Sequence, residues 1–286
     1  MTRSTCFAGG PLIALALVVN LSAAADPPTI DRRLVDAIKA GNSTAAVALL
    51  KQRVDVNVPE ADGTTALHWA VRHDDLDVAD RFLRAGAQVK AANRYGVTPL
   101  YLACVNGSAS MIEKLLTAGA DANASGPEGE TPLMTVARTG RVEAAEVLLS
   151  HGAIVDARET WRGQTALMWA AAQQHPAMMK ALMARGADVN ARSTVVKWER
   201  QNTAEPREKW LPPGGLTPLL FASRQGCLEC VRVLVEAGAN LNATDPDSIS
   251  PTLSAILNGH YDVAALLLDK GADPSLADAT GRTPLY

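Results

Sequence analysis

Aromatic side chains are scarce in this chain: three Phe, four Tyr and five Trp make up 4% of 286 residues. So few large rings do not fill one deep globular core, and small Ala and Leu side chains between thin layers account for the composition better. A surplus of one charge is missing too. Lysine and arginine total 27 against 30 aspartate and glutamate, a formal charge of −3. No basic surface of the kind that neutralises phosphates is indicated, which argues against a nucleic-acid partner. Only four cysteines occur, Cys6, Cys104, Cys227 and Cys230. Loss of Cys6 with a leader leaves an odd number, which argues against a disulfide framework. Phosphate-binding glycine loops, nucleophile elbows and paired acids in a cleft are all lacking. The five histidines, His68, His73, His151, His175 and His260, are scattered and have no second ligand pair at zinc spacing. The sequence therefore reads as non-catalytic, with no cofactor and no metal.

Long apolar runs are also absent. Pro11 to Val19 is an apolar run of nine residues, where a bilayer crossing takes about 20. Arg3 precedes it as a small positive region, and Ala23-Ala24-Ala25 before Asp26 fits the small-residue cleavage rule. A cleaved signal peptide over residues 1–25 is expected, with the mature chain secreted or periplasmic and not inserted in a membrane. An uncleaved anchor is the rival reading, since residues 4–25 carry no charge.

What the chain has is repetition. A Thr-Pro-Leu-like triplet begins at Thr65, Thr98, Thr131, Thr165, Thr217, Ser250 and Thr283, with steps of 33, 33, 34, 52, 33 and 33 residues. Gly86-Ala87, Gly119-Ala120, Gly152-Ala153, Gly186-Ala187, Gly238-Ala239 and Gly271-Ala272 keep the same steps. A fixed period of this size means stacked units. Within one unit Thr98 suits a helix N-cap and Pro99 the first helical position. Asn106-Gly107 ends that helix; Met111, Ile112, Leu115 and Leu116 then form one stripe of a second helix, which Gly119 closes. The Asp-, Asn- and Gly-rich segment Ala120 to Glu130 reads as an extended turn or hairpin.

This pattern, with Thr-Ala-Leu-His-Trp-Ala at 65–70 and Asp-Val-Asn-Ala at 188–191, resembles the ankyrin repeat over roughly residues 31–286. The resemblance implies an all-α ankyrin-repeat solenoid of about seven helix-turn-helix units with hairpin-like finger loops. Residues 32–64 read as a polar N-terminal cap, with Lys51-Gln52-Arg53 in place of Gly-Ala. Asp74 and Gln174 replace the glycine between helices, and Pro176 starts a helix. Gly281 to Tyr286 begins an eighth unit. Family binding through finger tips and the exposed face of the first helices carries over to Arg72, His73, Arg94, Tyr95, Arg138, Trp161, Arg162, Gln173, Arg224 and Gln225. His68 would hydrogen-bond near the start of its repeat. Trp69 and Trp169, each preceding the helix alanine, are expected in the core.

The long step adds 19 residues between Ala191 and Gly214. In the ankyrin arrangement this insertion lies on the fingers. Trp198 and Trp210 sit in it among Lys197, Arg200, Arg207 and Lys209, the residue types that interface hot spots favour, and both are expected to bind partner. Cys227 and Cys230 open a second helix. Cys230 falls on an apolar stripe, Cys227 is expected to be exposed, and a structural pair suits an oxidising compartment. The functional expectation is a scaffold that binds a protein partner through its concave groove and extended finger. The alternatives are the interaction half of a larger enzyme, and a thiol-redox protein using Cys227 and Cys230.

Overall fold

The computed structural model describes residues 31–196 and 214–285. Among them lie fourteen helices in seven pairs, and no strand. The first members of the pairs are α1 (Arg33–Lys39), α3 (Ala66–Arg72), α5 (Pro99–Asn106), α7 (Pro132–Thr139), α9 (Ala166–Ala172), α11 (Pro218–Gln225) and α13 (Pro251–Leu257). The second members are α2 (Ser43–Lys51), α4 (Leu76–Arg84), α6 (Ala109–Thr117), α8 (Val142–Ser150), α10 (Pro176–Ala184), α12 (Leu228–Glu236) and α14 (Tyr261–Asp269). Helices of seven to nine residues are too short to persist alone in water, so packing must hold them. The first members stack on one another from α1 to α13, and the second members stack alongside from α2 to α14. The protein is an all-α solenoid.

Each first helix after α1 starts where its triplet places it, whereas α1 follows Arg32 with no side-chain cap. Thr98 Oγ1 accepts from the Tyr101 amide at 3.1 Å, Thr217 Oγ1 from Leu220 at 3.2 Å and Ser250 Oγ from Leu253 at 3.2 Å, while Pro99, Pro132, Pro218 and Pro251 occupy the first turn. The helices stop at left-handed residues. Gly226, with φ 71°, caps α11 and lies so close to the His260 ring that a Cβ there would overlap it. Asp74 and Gln174 adopt the same conformation, with φ 53° and 60°, and Arg53 does so at φ 58°. Side chains are strained there.

The core is a continuous thin strip. Met111, Ile112, Leu115 and Leu116 are buried as the stripe requires, and Phe82 is the largest fully buried side chain among the described residues. Small side chains elsewhere in the strip account for the shortage of aromatics.

Between pairs the chain turns back in fingers. Each base is closed by one backbone bond: Asn93 N–H to Val97 O at 3.0 Å, Gly126 to Glu130 at 2.7 Å, Asp245 to Ile249 at 3.1 Å. A polar side chain at the base then takes up the amides of the tip: Glu159 accepts from Trp161, Arg162 and Gln164, and Asp245 from Asp247 and Ile249. The interrupted finger closes likewise, with Ser193 N–H to Leu216 O at 2.9 Å and Leu216 N–H to Ser193 Oγ at 2.9 Å. Trp198, Trp210 and the surrounding stretch 197–213 lie outside the described residues, as do residues 1–30 with the expected signal peptide and its rival anchor. Among the described residues no helix is long and apolar enough to cross a membrane.

Neighbouring units are stitched by asparagine. Asn123 donates from Nδ2 to Gly152 O at 3.0 Å and accepts from Ile154 N–H at 2.8 Å, and Asn57 makes the same two bonds to Gly86 and Gln88.

Cys227 is buried where exposure was expected, while its pairing with Cys230 is the structural pair the sequence allowed. It is joined to Cys230 in a disulfide, with Cα atoms 5.2 Å apart, and is only 9% exposed. The N-cap side chain folds over the first turn of α12 toward buried Cys230, which draws it out of solvent. Cys104 stays free in the core, where burial pushes its thiol well above the ordinary range.

Candidate functional site

The first helices and the fingers share one face, because Trp69 in α3 donates its indole N–H to Glu60 Oε2, at a finger base, at 2.8 Å. Glu60 also takes Lys39 Nζ at 2.6 Å, and Lys39 lies 5.1 Å from the centre of the Trp69 ring. Trp69 and Trp169 are both half-buried, so neither belongs wholly to the core. Both rings pack against the core and also reach the finger side, Trp69 through Glu60 and Trp169 through Arg138.

Arginine meets these rings repeatedly. The Arg72 guanidinium carbon lies 5.7 Å from the Trp69 ring centre, and His73 packs beside the same ring at 6.1 Å. Arg138, from α7, lies 5.6 Å from Trp169 of the next unit. At the finger tips Arg94 lies 5.5 Å from Tyr95, and Arg162 lies 4.7 Å from Trp161. Tyr95 is 62% exposed and Trp161 67% exposed, so both rings stand open to solvent. Such pairs hold a guanidinium in place by cation–π attraction. Arg138 is also anchored through its backbone, since His175 Nε2–H donates to its carbonyl at 3.1 Å.

Tyr101 ties this region together. Its hydroxyl lies against Glu130 and Arg138, and burial, with the nearby Glu130 charge, raises it above the ordinary phenol range. Glu130 is 2% exposed and accepts the Glu128 amide at 2.8 Å, so it serves the finger internally.

At the two ends of the stack the fingers hold ion pairs of their own, Lys39–Glu60 and Arg282–Asp278, whereas in its middle the pairs lie on the second helices. Ion pairs on the second helices neutralise part of their own side: Asp77–Arg81, Asp80–Arg84, Asp80–Lys114, Glu229–Lys180 and Glu229–Arg232. Among the described residues, Arg72, Arg94, Arg138 and Arg162 have no carboxylate at salt-bridge distance.

Gln173, Arg224 and Gln225 are exposed at the ends of α9 and α11, where among the described residues no aromatic ring lies over Arg224. The Gln225 carbonyl accepts from Gln174 Nε2 at 3.1 Å, a bond between units. Sequence reasoning passed over Tyr101, Lys39, Glu60 and the outward half of Trp69 and Trp169. The signal was available in the register, where Trp69, Leu102, Thr135, Trp169, Phe221 and Ser254 occupy one position of the repeat. His68 is structural: its Nδ1 lies 2.8 Å from Thr65 Oγ1 and accepts from the Thr65 amide, which leaves Nε2–H to donate to Val97 O at 3.1 Å. Among the described residues no group of three or more His, Cys, Asp or Glu is placed to hold a metal ion.

A family profile described as "Ankyrin repeats (3 copies)" matches residues 34–126, 110–193 and 196–286. Human BCL-6 corepressor-like protein 1 is 37% identical over 71 residues, which cover 25% of this chain and 4% of that protein. Mouse protein phosphatase 1 regulatory subunit 27 is 38% identical over 72 residues, 25% of this chain and 47% of that protein. The chain thus spans less than half the length of either relative. The crystal structure of the human ASB11 ankyrin repeat domain is similar at a TM-score of 0.68 and 28% identity, with 84% of this chain and 98% of that chain covered.

Proposed function

The chain belongs to the ankyrin-repeat family, and from that premise we propose that it is a non-catalytic scaffold outside the cytoplasm that binds another protein through the finger-side groove. The observation that carries this reading is the segregation of side chains. Arginines held over partly open aromatic rings line the finger side, whereas α4, α6, α10 and α12 pair many of their charges with one another. Aromatic and arginine side chains held in place beforehand are what interface hot spots require. Arg72, His73, Arg94, Tyr95, Arg138, Trp161 and Arg162 form the centre of the proposed surface. Gln173, Arg224 and Gln225 form its flank, and the insertion with Trp198 and Trp210 extends it at the interrupted finger.

The location rests on two supports: the leader-like residues 1–25, and the Cys227–Cys230 disulfide, a bond that persists in oxidising compartments. Intact mass of the exported protein should begin at Asp26; a membrane-held species retaining Met1 would replace the cleaved leader by an anchor.

A photo-crosslinking amino acid placed at Trp161 or Gln173 should yield a protein adduct in the native host, and the same group at Glu143 or Glu146 of α8 should not. Adducts confined to α8 would remove the groove from the account.

A further inference from the structure

We propose that the finger-side groove takes an acidic peptide segment of its partner, with carboxylates seated on Arg72, Arg138 and Arg162; this rests on the protein-binding reading above. Each of these guanidiniums lies 4.7 to 5.7 Å from the centre of a tryptophan ring. A guanidinium held over a ring face still has N–H groups to offer a carboxylate, one of them at Arg138 being shared with the Tyr101 hydroxyl, and the ring contact lowers the entropy cost of ordering a long side chain. The same three arginines have no carboxylate at salt-bridge distance among the described residues.

A plainer account exists for two of them. Arg72 and Arg138 sit in the last turns of α3 and α7, where a cation is favoured by the helix dipole. That account does not reach Arg162, which is on a finger tip, nor the confinement of ion pairs to the second helices in the middle of the stack. The carboxylates that do lie on the finger side are largely occupied. Glu60 holds Lys39 and Trp69, Glu130 is buried against its own finger, and Asp62 accepts from the Thr64 amide. Glu128 is exposed at a tip and bounds the site. A phosphate backbone fits less well. The whole chain is formally −3, and Asp62 and Glu128 stand along the line that such a backbone would follow. Isolated carboxylates between apolar side chains match guanidiniums that alternate with rings.

The test is selection of random twelve-residue phage-displayed peptides on the full chain, followed by titration of the best synthetic peptide. Selected peptides should carry Asp and Glu at least about twofold above the input library. Binding should weaken at least about tenfold in the triple variant Arg72→Gln, Arg138→Gln, Arg162→Gln, and be unchanged in Arg81→Gln, whose pair lies on α4. Lysine at the same three positions keeps the charge but loses the fork and should fall between, with circular dichroism melting confirming each fold. Selected peptides without acidic enrichment overturn the proposal, and the groove itself survives that result if Trp161→Ala abolishes their binding. Indifference to both the arginine and the tryptophan changes removes the groove as well. Tighter binding of a single-stranded twelve-nucleotide DNA than of any selected peptide also overturns it.

Discussion

At Trp69 and Trp169 the same residue occupies the same place in its unit and meets two different environments. Trp69 donates to Glu60, but among the described residues the Trp169 indole N–H is buried without a partner. Trp69→Phe should therefore cost about 1 kcal/mol more than Trp169→Phe in urea unfolding, since only the first loses a hydrogen bond to a charged group. Equal losses would mean that the Glu60 contact contributes nothing. His68 gives a second residue-scale test. Burial lowers its pKa, with the Val97 carbonyl and the Asp62 charge acting the other way. A depressed histidine favours the neutral folded form, so its contribution is complete above about 6.5 and declines as pH falls from there toward the folded pKa. The melting temperature should drop more steeply from pH 7 to 5 in the wild type than in His68→Gln. Of the site residues, Arg94, Tyr95, Trp161 and Arg162 were legible as exposed finger-tip positions. Trp69 and Trp169 were not, because apolar bulk next to a helix alanine reads as core, and only the Glu60 and arginine contacts show the rings turned outward.

The elements were legible because their signals are local: a capping hydroxyl, a proline and a terminal glycine act within a few residues. The stitching between units was not, since Asn123 bonds to residues 29 and 31 positions away. Asn recurring at 57, 123 and 190 was its trace in the sequence. Left-handed positions allow a clean perturbation. Arg53 is exposed with φ 58°, and Arg53→Gly should raise stability by about 0.5–1 kcal/mol. Gly226→Ala should lower it by more than about 1 kcal/mol, because strain there is joined by overlap with the His260 ring. Chemical denaturation of both variants checks the pair. The interrupted finger supplies a third test. Removing residues 195–213 leaves Thr194-Gly214-Gly215 where another finger has Arg94-Tyr95-Gly96, with the Ser193–Leu216 base intact. Loop length changes closure entropy slowly, about 0.6 kcal/mol per doubling, so the melting temperature should hold within a few degrees. Collapse of the stack would make the insertion a structural part.

At the scale of the whole stack, stability is a sum of unit and neighbour terms, because among the described helices each pair makes its main contacts with the pairs on either side. Such a stack offers one long face built from equivalent positions, and here that face carries the aromatic–arginine pairs. The central claim is that this face, and not the charge-paired second helices, meets the partner. Hydrogen exchange of the full chain, alone and with the protein captured by the Trp161 crosslinker, tests it most directly. The account predicts slowed exchange in peptides that hold residues 92–103, 126–139 and 159–173, with α4, α6, α8 and α10 unchanged. Protection confined to those second helices, with the fingers unaltered, would contradict it.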